Sequence, residues 1–507
     1  MSLRQDTDAL INSDEDAGAN RALFAGLERL SAGMDRALAQ YAGVIDGVHP
    51  SQKLSVRNLI EYLSLRCEDI RPLQDRLHTL GFSSLNSSES HIHSQLQAVL
   101  QLLGKNQGSG ELPESNYHTA KNLILRRSIQ LFGRRTEASV PYLMVTIATD
   151  VARHPKLAEK LLKKGMNVAR INCGHDNEEV WTQMIRNIRR ASKKTGISCK
   201  IYLDLAGPKM RTVIRSTGKP KKRTKNRIRL REGEKILFAE KNTVWDPSAV
   251  VIGCREQGIS AQLRAGDRVL FDDGLVEMRV VEAPGGLVPA TLEVVRISSQ
   301  KPRLKADKSI NLPDTVVELP ALTNYDYSVL PFICRHADLV GYSFVRQPAD
   351  VKELQQAMAR EDHKPNIILK IETSEAVSRF PAILIQAMQD EVFGVMVARG
   401  DLAVEIGFER LSEIQEELVW ISEAAHAPVI WGTQILDSLG KSGLATRAEV
   451  TDAAYAAIAE CVMINKGKHI FKVMRTLRDI LKRSGTHHVK KRYTCRAMTI
   501  AQKFFEE

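Results

Sequence analysis

Five apolar runs of the chain end in residues that can handle a metal ion and an anion: Arg170-Ile171-Asn172, Asp204, Lys370-Ile371-Glu372, Arg399-Gly400-Asp401 and Thr433-Gln434. Carboxylates are hard oxygen ligands for a divalent cation such as Mg2+. Guanidinium and ammonium groups neutralise a transferring phosphoryl group, and a hydroxyl orients an acceptor or relays a proton. Singly, each of these residues is more often a salt-bridged rim residue than a functional one. Their recurrence at the end of run after run is what carries the pattern. The densest stretch is 396–407, MVARGDLAVEIG. Its apolar lead-in reads as a buried parallel strand, and a helix opening after Gly400 would aim backbone N–H groups at an anion. The plainer reading is a strand-to-helix turn capped by Asp401.

Such groups need a frame that gathers them on one rim. From Val140 the chain alternates short apolar strands with amphipathic helices, the pattern of a parallel sheet covered by helices. Strands are expected at residues 142–147, 168–172, 199–204, 338–343, 366–371, 392–397, 429–431 and 461–464. Eight is the strand number of a (β/α)8 TIM barrel, whose strand ends share one face. The alternation stops over residues 213–307, which are β-rich and studded with turns and read as an inserted antiparallel β-barrel lid domain. Upstream, apolar residues three and four apart predict an α-helical module with its linker over 21–135, after a flexible tail at 1–20. The barrel then occupies 138–212 and 308–484, with a basic tail at 485–507.

A formal charge of +12 over 507 residues favours anionic partners. The basic run 219–231 has no interleaved aromatic residue, so a solvated loop is expected there rather than a nucleic-acid site. His78, His91 and His93 lack ligand partners at metal spacing and read as surface histidines. The seven cysteines are scattered without CxxC spacing, which points to a reducing compartment. No run of about 18 apolar residues occurs, and the N-terminus lacks an apolar leader core, so no membrane contact and a cytoplasmic location are expected.

The segments GMNVARIN (165–172), LDLAGPKMRT (203–212), KSINLPDTVVELPALT (308–323), ILKIETSEAV (368–377), VMVARGDLAVEIGFE (395–409), PVIWGTQILDSL (428–439) and TRAEVTDAA (446–454) resemble successive motifs of the pyruvate kinase family, in the family's order. The resemblance implies phosphoryl transfer from phosphoenolpyruvate to ADP, giving pyruvate and ATP, on a barrel with a lid inserted after strand three. Glu372 and Asp401 would then bind Mg2+ (or Mn2+), Lys370 would stabilise the phosphoryl group and the enolate oxygen, and Arg170 would bind the phosphoryl group. Gly400, Asp401 and Thr433 would hold the substrate carboxylate, and Arg211 and Lys308 would lie near the nucleotide phosphates. Asn172 and Asp204 match positions that bind a monovalent cation.

The chain departs from the family pattern at several of these places. Lys209 stands where potassium-dependent members carry a glutamate, Leu205-Ala206 replaces a Thr-Lys pair, and Gly174 replaces a serine ligand. A lysine ammonium there could supply the charge of K+, so K+ is not expected to be required. Asn465-Lys-Gly-Lys468 replaces Ser-Gly-Glu-Thr, and Thr146-Ile-Ala-Thr149 replaces Thr-Ile-Gly-Pro. The resemblance leaves the family's C-terminal effector domain without a counterpart after about residue 485, so activation by that route is not expected, and a homo-oligomer is left open. Two other readings stand beside it: a related Mg-dependent barrel enzyme acting on another enolpyruvate or oxo-acid substrate, and a non-catalytic regulatory protein of the same fold.

Overall fold

The computed structural model describes residues 2–493 apart from 105–114, 136, 138–139, 219–226, 286–287, 299–302, 486–487 and 490–491. Strands follow the apolar runs. In chain order they are β1 (Tyr142–Thr146), β2 (Met166–Asn172) and β3 (Lys200–Asp204). The inserted domain supplies β4 (Thr212–Thr217), β5 (Arg227–Arg229), β6 (Lys235–Phe238), β7 (Val250–Cys254), β8 (Arg268–Phe271), β9 (Val276–Glu282), β10 (Ala290–Ile297), β11 (Arg303–Lys305) and β12 (Ile310–Asn311). Then come β13 (Leu339–Tyr342), β14 (Asn366–Ile371), β15 (Gly394–Ala398), β16 (Val429–Gly432) and β17 (Cys461–Ile464). Parallel pairing closes β1-β17-β16-β15-β14-β13-β3-β2 into an eight-stranded barrel, with each strand within two residues of its expected position.

Alternation of period two decides which side chains reach the barrel axis. In β14, Ile368 packs inside with Met144, Val168, Tyr202 and Ile430, whereas Ile367, Leu369 and Ile371 pack against the outer helices. By the same parity Lys370 and Glu372 point to the axis, as do Arg170 and Asn172 after Val168, and Asp204 after Tyr202.

The lid is a seven-stranded sheet, β12-β8-β9-β10-β6-β7-β4, beside the pair β11-β5. It begins at Thr212 and reaches past 307, because Ile310 and Asn311 pair with Phe271 and Leu270. The expected all-antiparallel sheet has one exception: β6 and β7 run parallel, since the chain between them returns to the same end of the sheet instead of making a hairpin.

The helical module contains α1 (Ser2–Gln40), α2 (Ala42–Gly47), α3 (Lys53–Arg66), α4 (Arg71–Thr79), α5 (Ile92–Leu103) and α6 (Tyr117–Phe132). The first 20 residues, expected as a flexible tail, are helical from Ser2 onward. No proline interrupts residues 1–40, so the hydrogen-bond ladder set by the buried Leu23, Leu27, Leu30 and Met34 can propagate backwards. Within the stretch expected to hold the module's linker, residues 105–114 lie outside the described residues, as do 219–226 of the basic run. Most of the expected tail at 485–507 also lies outside them, apart from a short pairing of His488–Val489 with Arg492–Tyr493. Of His78, His91 and His93 only His78 is exposed: His91 is buried, and His93 is half-buried and ion-paired with Glu61 at 3.2 Å. His91 and His93 sit among the module's helices, where the sequence spacing had suggested a surface. Among the described residues no helix is long and apolar enough to cross a membrane.

The module is fused to the barrel floor. Leu131 and Phe132, at the end of α6, are buried in the barrel's own core with Tyr142, Ile368, Met396 and Met463. Tyr142 OH donates to the carbonyl of Gly133 at 2.8 Å, and the Phe132 and Tyr142 rings meet at 5.2 Å. A Cβ on Gly394 would come within 3.1 Å of a Leu131 methyl, so glycine makes room for the plug. Phe132→Ala is expected to cost ~3–5 kcal/mol of stability, read as a lower denaturation midpoint of the whole chain. A loss confined to the module's helices would contradict a shared core.

Above this plug the module grips the turns that lead into β15 and β16. His49 N donates to Met388 O at 2.9 Å and Gln52 Nε2 to Glu391 O at 2.9 Å. Asn58 Nδ2 donates to Ala424 O at 2.7 Å, and the buried Arg127 donates to His426 O at 3.0 Å. The buried His426 ring sits between Ser55 Oγ and Ser90 O. These turns are the lower ends of the two strands whose upper ends carry Arg399-Gly400-Asp401 and Thr433.

Candidate active site

At the upper rim the inward residues of β2, β3 and β14 form a buried row of alternating charge. Arg170 donates from Nε and Nη2 to Asp204 Oδ2 at 3.0 and 2.5 Å, and from Nη1 to Thr146 Oγ1 at 3.0 Å. Asp204 Oδ1 accepts from Tyr202 OH at 3.0 Å and lies 3.3 Å from Lys370 Nζ. Lys370 Nζ is also 3.1 Å from Glu372 Oε1 and 2.5 Å from Ser343 Oγ. Glu372 Oε2 accepts from the Phe344 amide at 2.8 Å.

Burial opposes ionisation of Asp204, but Lys370 and Arg170 overcome it and hold the carboxyl below its ordinary range. Burial likewise disfavours the Lys370 ammonium, and Asp204 and Glu372 outweigh it to raise that group. Glu372 goes the other way: burial raises its carboxyl against the pull of Lys370, and the field of Asp401 raises it further. Two carboxylates, Glu372 and Asp401, are thus close enough to repel, an oxygen-only donor pair whose repulsion a divalent cation would relieve.

The second half of the rim comes from β15 and β16. The helix Arg399–Ile406 starts two residues before the expected point, and the Gly400 amide donates to Thr433 Oγ1 at 2.8 Å. A Cβ on Gly400 would come within 3.3 Å of that hydroxyl, so only glycine leaves the contact unobstructed. Thr433 and Gln434 adopt left-handed backbone, φ 58° and 60°, which is strained for a β-branched residue and is held by its surroundings. The holder is Arg399. Parity turns it outward from the rim, where its Nε donates to Gly432 O at 3.0 Å and its Nη2 to Thr433 O at 2.8 Å while it pairs with Asp452.

Lys209 does not join Asn172 and Asp204 as expected for a monovalent-cation site. It crosses to Asp401, 2.6 Å from Oδ1, while Asn172 Oδ1 accepts the Gly174 amide at 2.9 Å and Asp204 is engaged by Arg170, Tyr202 and Lys370. Side-chain length decides this: the loop after β3 places Lys209 in front of β15. Arg211 and Lys308 are neighbours at the root of the lid, Arg211 bridging to Ser309 and Lys308 paired with Asp272 at 2.7 Å. Near them the imidazole of His175 is held below its ordinary range by burial and then by the charges of Lys466 and Arg211, so the altered loop 465–468 adds a cation to this side of the rim.

Thr146, Tyr202 and Ser343 were not among the expected site residues. Each sits on the inward parity of its strand, two residues from or level with a recognised member, and that alternation was the available signal.

Lid and barrel meet at Glu405, whose Oε1 accepts from Asn311 Nδ2 at 2.9 Å. Burial is the main cause that pushes its carboxyl up to about 7, with Asp401 adding to it. The folded protein therefore holds this proton more tightly than the unfolded chain, whose ordinary value is 4.5. The stabilisation is complete below that lower value and is lost as pH rises through about 7. In metal-free buffer the wild type should lose on the order of 1–3 kcal/mol relative to Glu405→Gln between about pH 5 and about pH 8, measured by denaturation. Parallel curves for the two proteins would contradict the assignment.

Fold and rim define a (β/α)8 barrel with an inserted β-domain and a rim of alternating carboxylates and cations. Residues 142–468 match the family model described as pyruvate kinase, barrel domain. The chain is similar to a cytosolic pyruvate kinase isozyme of Nicotiana tabacum, 32% identical over 62% of this chain and 59% of the relative. It is also similar to a pyruvate kinase of Bacillus licheniformis, 33% identical over 64% of this chain and 54% of the relative. A pyruvate kinase crystal structure from Cryptosporidium parvum superposes with a TM-score of 0.61 at 27% identity, covering 71% of this chain and 72% of that one. The chain belongs to the pyruvate kinase family. It spans 59% and 54% of the length of the two relatives matched by sequence.

Proposed function

We propose that this protein is a pyruvate kinase, transferring phosphoryl from phosphoenolpyruvate to ADP to give pyruvate and ATP, the glycolytic reaction, in the cytoplasm. The observation that carries the reading is the buried row Arg170, Asp204, Lys370 and Glu372 facing the Thr433–Gly400–Asp401 turn across one rim. Arg170 and Lys370 present positive charge to the phosphoryl group as it leaves the enolate oxygen, and Lys370 then neutralises that oxygen. The Gly400 amide and Thr433 Oγ1 hold the substrate carboxylate, and the Thr433 hydroxyl relays the proton that turns the enolate into pyruvate. Mg2+ (or Mn2+) held by Glu372 and Asp401 would supply Lewis-acid charge to the transferring phosphoryl oxygens. Arg211 and Lys308 face the nucleotide phosphates from the lid root. Asp204 acts through Arg170 and Lys370, fixing both.

The Lys209–Asp401 pair supports turnover without K+, because a fixed ammonium already stands at the rim. A lactate-dehydrogenase-coupled assay with phosphoenolpyruvate, ADP and Mg2+, run in sodium-only and in potassium buffer, tests both claims. Comparable turnover in the two salts is expected, together with K+ stimulation in Lys209→Ala. A strict K+ requirement in the wild type would sink the K+ claim, and silence in both salts would sink the reading. The cation that Lys466 adds beside His175 favours one second reading, a different phosphorylated enol substrate on the same machinery.

A further inference from the structure

A cleft of about 870 Å3 opens where α3 and α4 of the helical module meet the barrel helices Leu411–Ala424 and Arg447–Tyr455. That volume suits a small organic molecule. Three aromatic side chains, Tyr62, Trp420 and Tyr455, form part of its wall. The Arg66 guanidinium lies 5.0 Å from the centre of the Trp420 ring and 5.6 Å from that of Tyr62. The lining reverses the sign of the chain as a whole: four acids, Glu68, Asp69, Glu89 and Glu416, face two arginines in a protein of formal charge +12. Asp69 is paired with Arg71 at 2.6 Å and Glu68 with Arg29 at 3.7 Å, while Glu416 accepts from Tyr455 OH. Such a wall repels polyanions. It matches a flat molecule carrying a protonated amine, whose ring packs against the aromatic wall and whose charge faces Glu416.

The inner wall of the cleft is tied to the rim by contacts already described and three more. Tyr455 OH donates to Glu416, and the Tyr455 ring stands edge-on to Trp431 at 5.6 Å. The outer face of Trp431 carries the Arg399 guanidinium at 4.9 Å. Arg399 in turn pairs with Asp452, on the same helix as Tyr455, and fixes the Gly432 and Thr433 carbonyls. A ligand that competes for Glu416 or wedges against Tyr455 therefore acts on the group that holds the strained Thr433 turn.

We propose that this cleft binds a small aromatic or heteroaromatic amine, and that its occupancy alters the Thr433 turn through Tyr455, Trp431 and Arg399. The functional importance of that turn rests on the activity proposed above; the binding does not. Calorimetric titration of the full chain with tryptamine tests the site, with a sugar bisphosphate as the anionic comparator. Saturable one-to-one binding of tryptamine is expected, weakened tenfold or more by Glu416→Gln and by Thr451→Arg, which fills the cleft, with no saturable binding of the bisphosphate. Melting curves of both variants check that they fold. No saturable tryptamine binding, equal binding in the wild type and both folded variants, or saturable binding of the bisphosphate overturns the site. For the coupling, hydrogen exchange of the amides at 432–436 should change on adding tryptamine and stop responding in Tyr455→Leu. Unaltered exchange at full occupancy overturns the coupling. Absent turnover with tryptamine binding intact would overturn the pyruvate kinase reading alone.

Discussion

Lys370→Met is expected to lower kcat by about 10^2–10^3-fold or more, because on the proposed reading it removes the buried ammonium that would face both the phosphoryl group and the nascent enolate. The structure adds a second consequence. Lys370 is 7% exposed and lies between Asp204 and Glu372, so its removal leaves two buried carboxylates with one cation fewer. A stability loss of ~3 kcal/mol should follow at neutral pH. Coupled-assay turnover, urea denaturation and Mn2+ binding by magnetic resonance separate the effects: turnover and stability fall, while Mn2+ affinity stays within a few fold. A variant with kcat close to that of the wild type would rule out this role for Lys370.

The second large effect is expected at a residue with no functional group. Gly341 lies in β13 directly beneath the Tyr202–Asp204 contact, and a Cβ there would overlap Tyr202 Oη and Asp204 Oδ1 and lie 2.5 Å from the ring carbon that bears the hydroxyl. Backbone on both sides is fixed by the barrel ladder, so neither group can withdraw. Gly341→Ala should therefore cost roughly 3 kcal/mol or more and displace Asp204 from Arg170. Tyr202→Phe in the same chain should not rescue the fold, because the ring carbon remains. Tyr202→Leu should recover only part of the loss, because the new Cβ still meets Asp204 Oδ1, and it should not restore the Asp204 hydrogen bond. Denaturation midpoints of the two double variants decide the matter, and equal rescue by Phe and Leu would locate the clash elsewhere.

Much of the barrel was legible because its strands are short apolar runs of a length and spacing that few other folds share. Arg170, Asp204, Lys370, Glu372, Gly400, Asp401 and Thr433 converge on one rim because a barrel brings every strand end to the same face. What the sequence left hidden follows from direction and distance. Arg399 looked like a third rim cation, yet one step of the pleat turns it outward to Asp452, where it supports Thr433 from behind. Lys209 could be assigned a charge but not an address, since its partner Asp401 is 192 positions along the chain. Ser343 and Tyr202 were overlooked because a hydroxyl at a strand end carries no signal until its parity is known. The helical module offered periodicity and nothing to say where it docks. Its decisive residues, Leu131 and Phe132, are ordinary apolar side chains at a helix end.

That plug also sets an order of events during synthesis. α6 emerges early, yet its seat is not complete until Met463 has been made, about 330 residues later. At ~5–20 residues per second the ribosome needs roughly 15–65 s to deliver the missing strands. Throughout that interval the plug and the apolar faces around it have nowhere native to go. Slow translation of the barrel therefore lengthens the time for which the helices that precede it wait for their full seat.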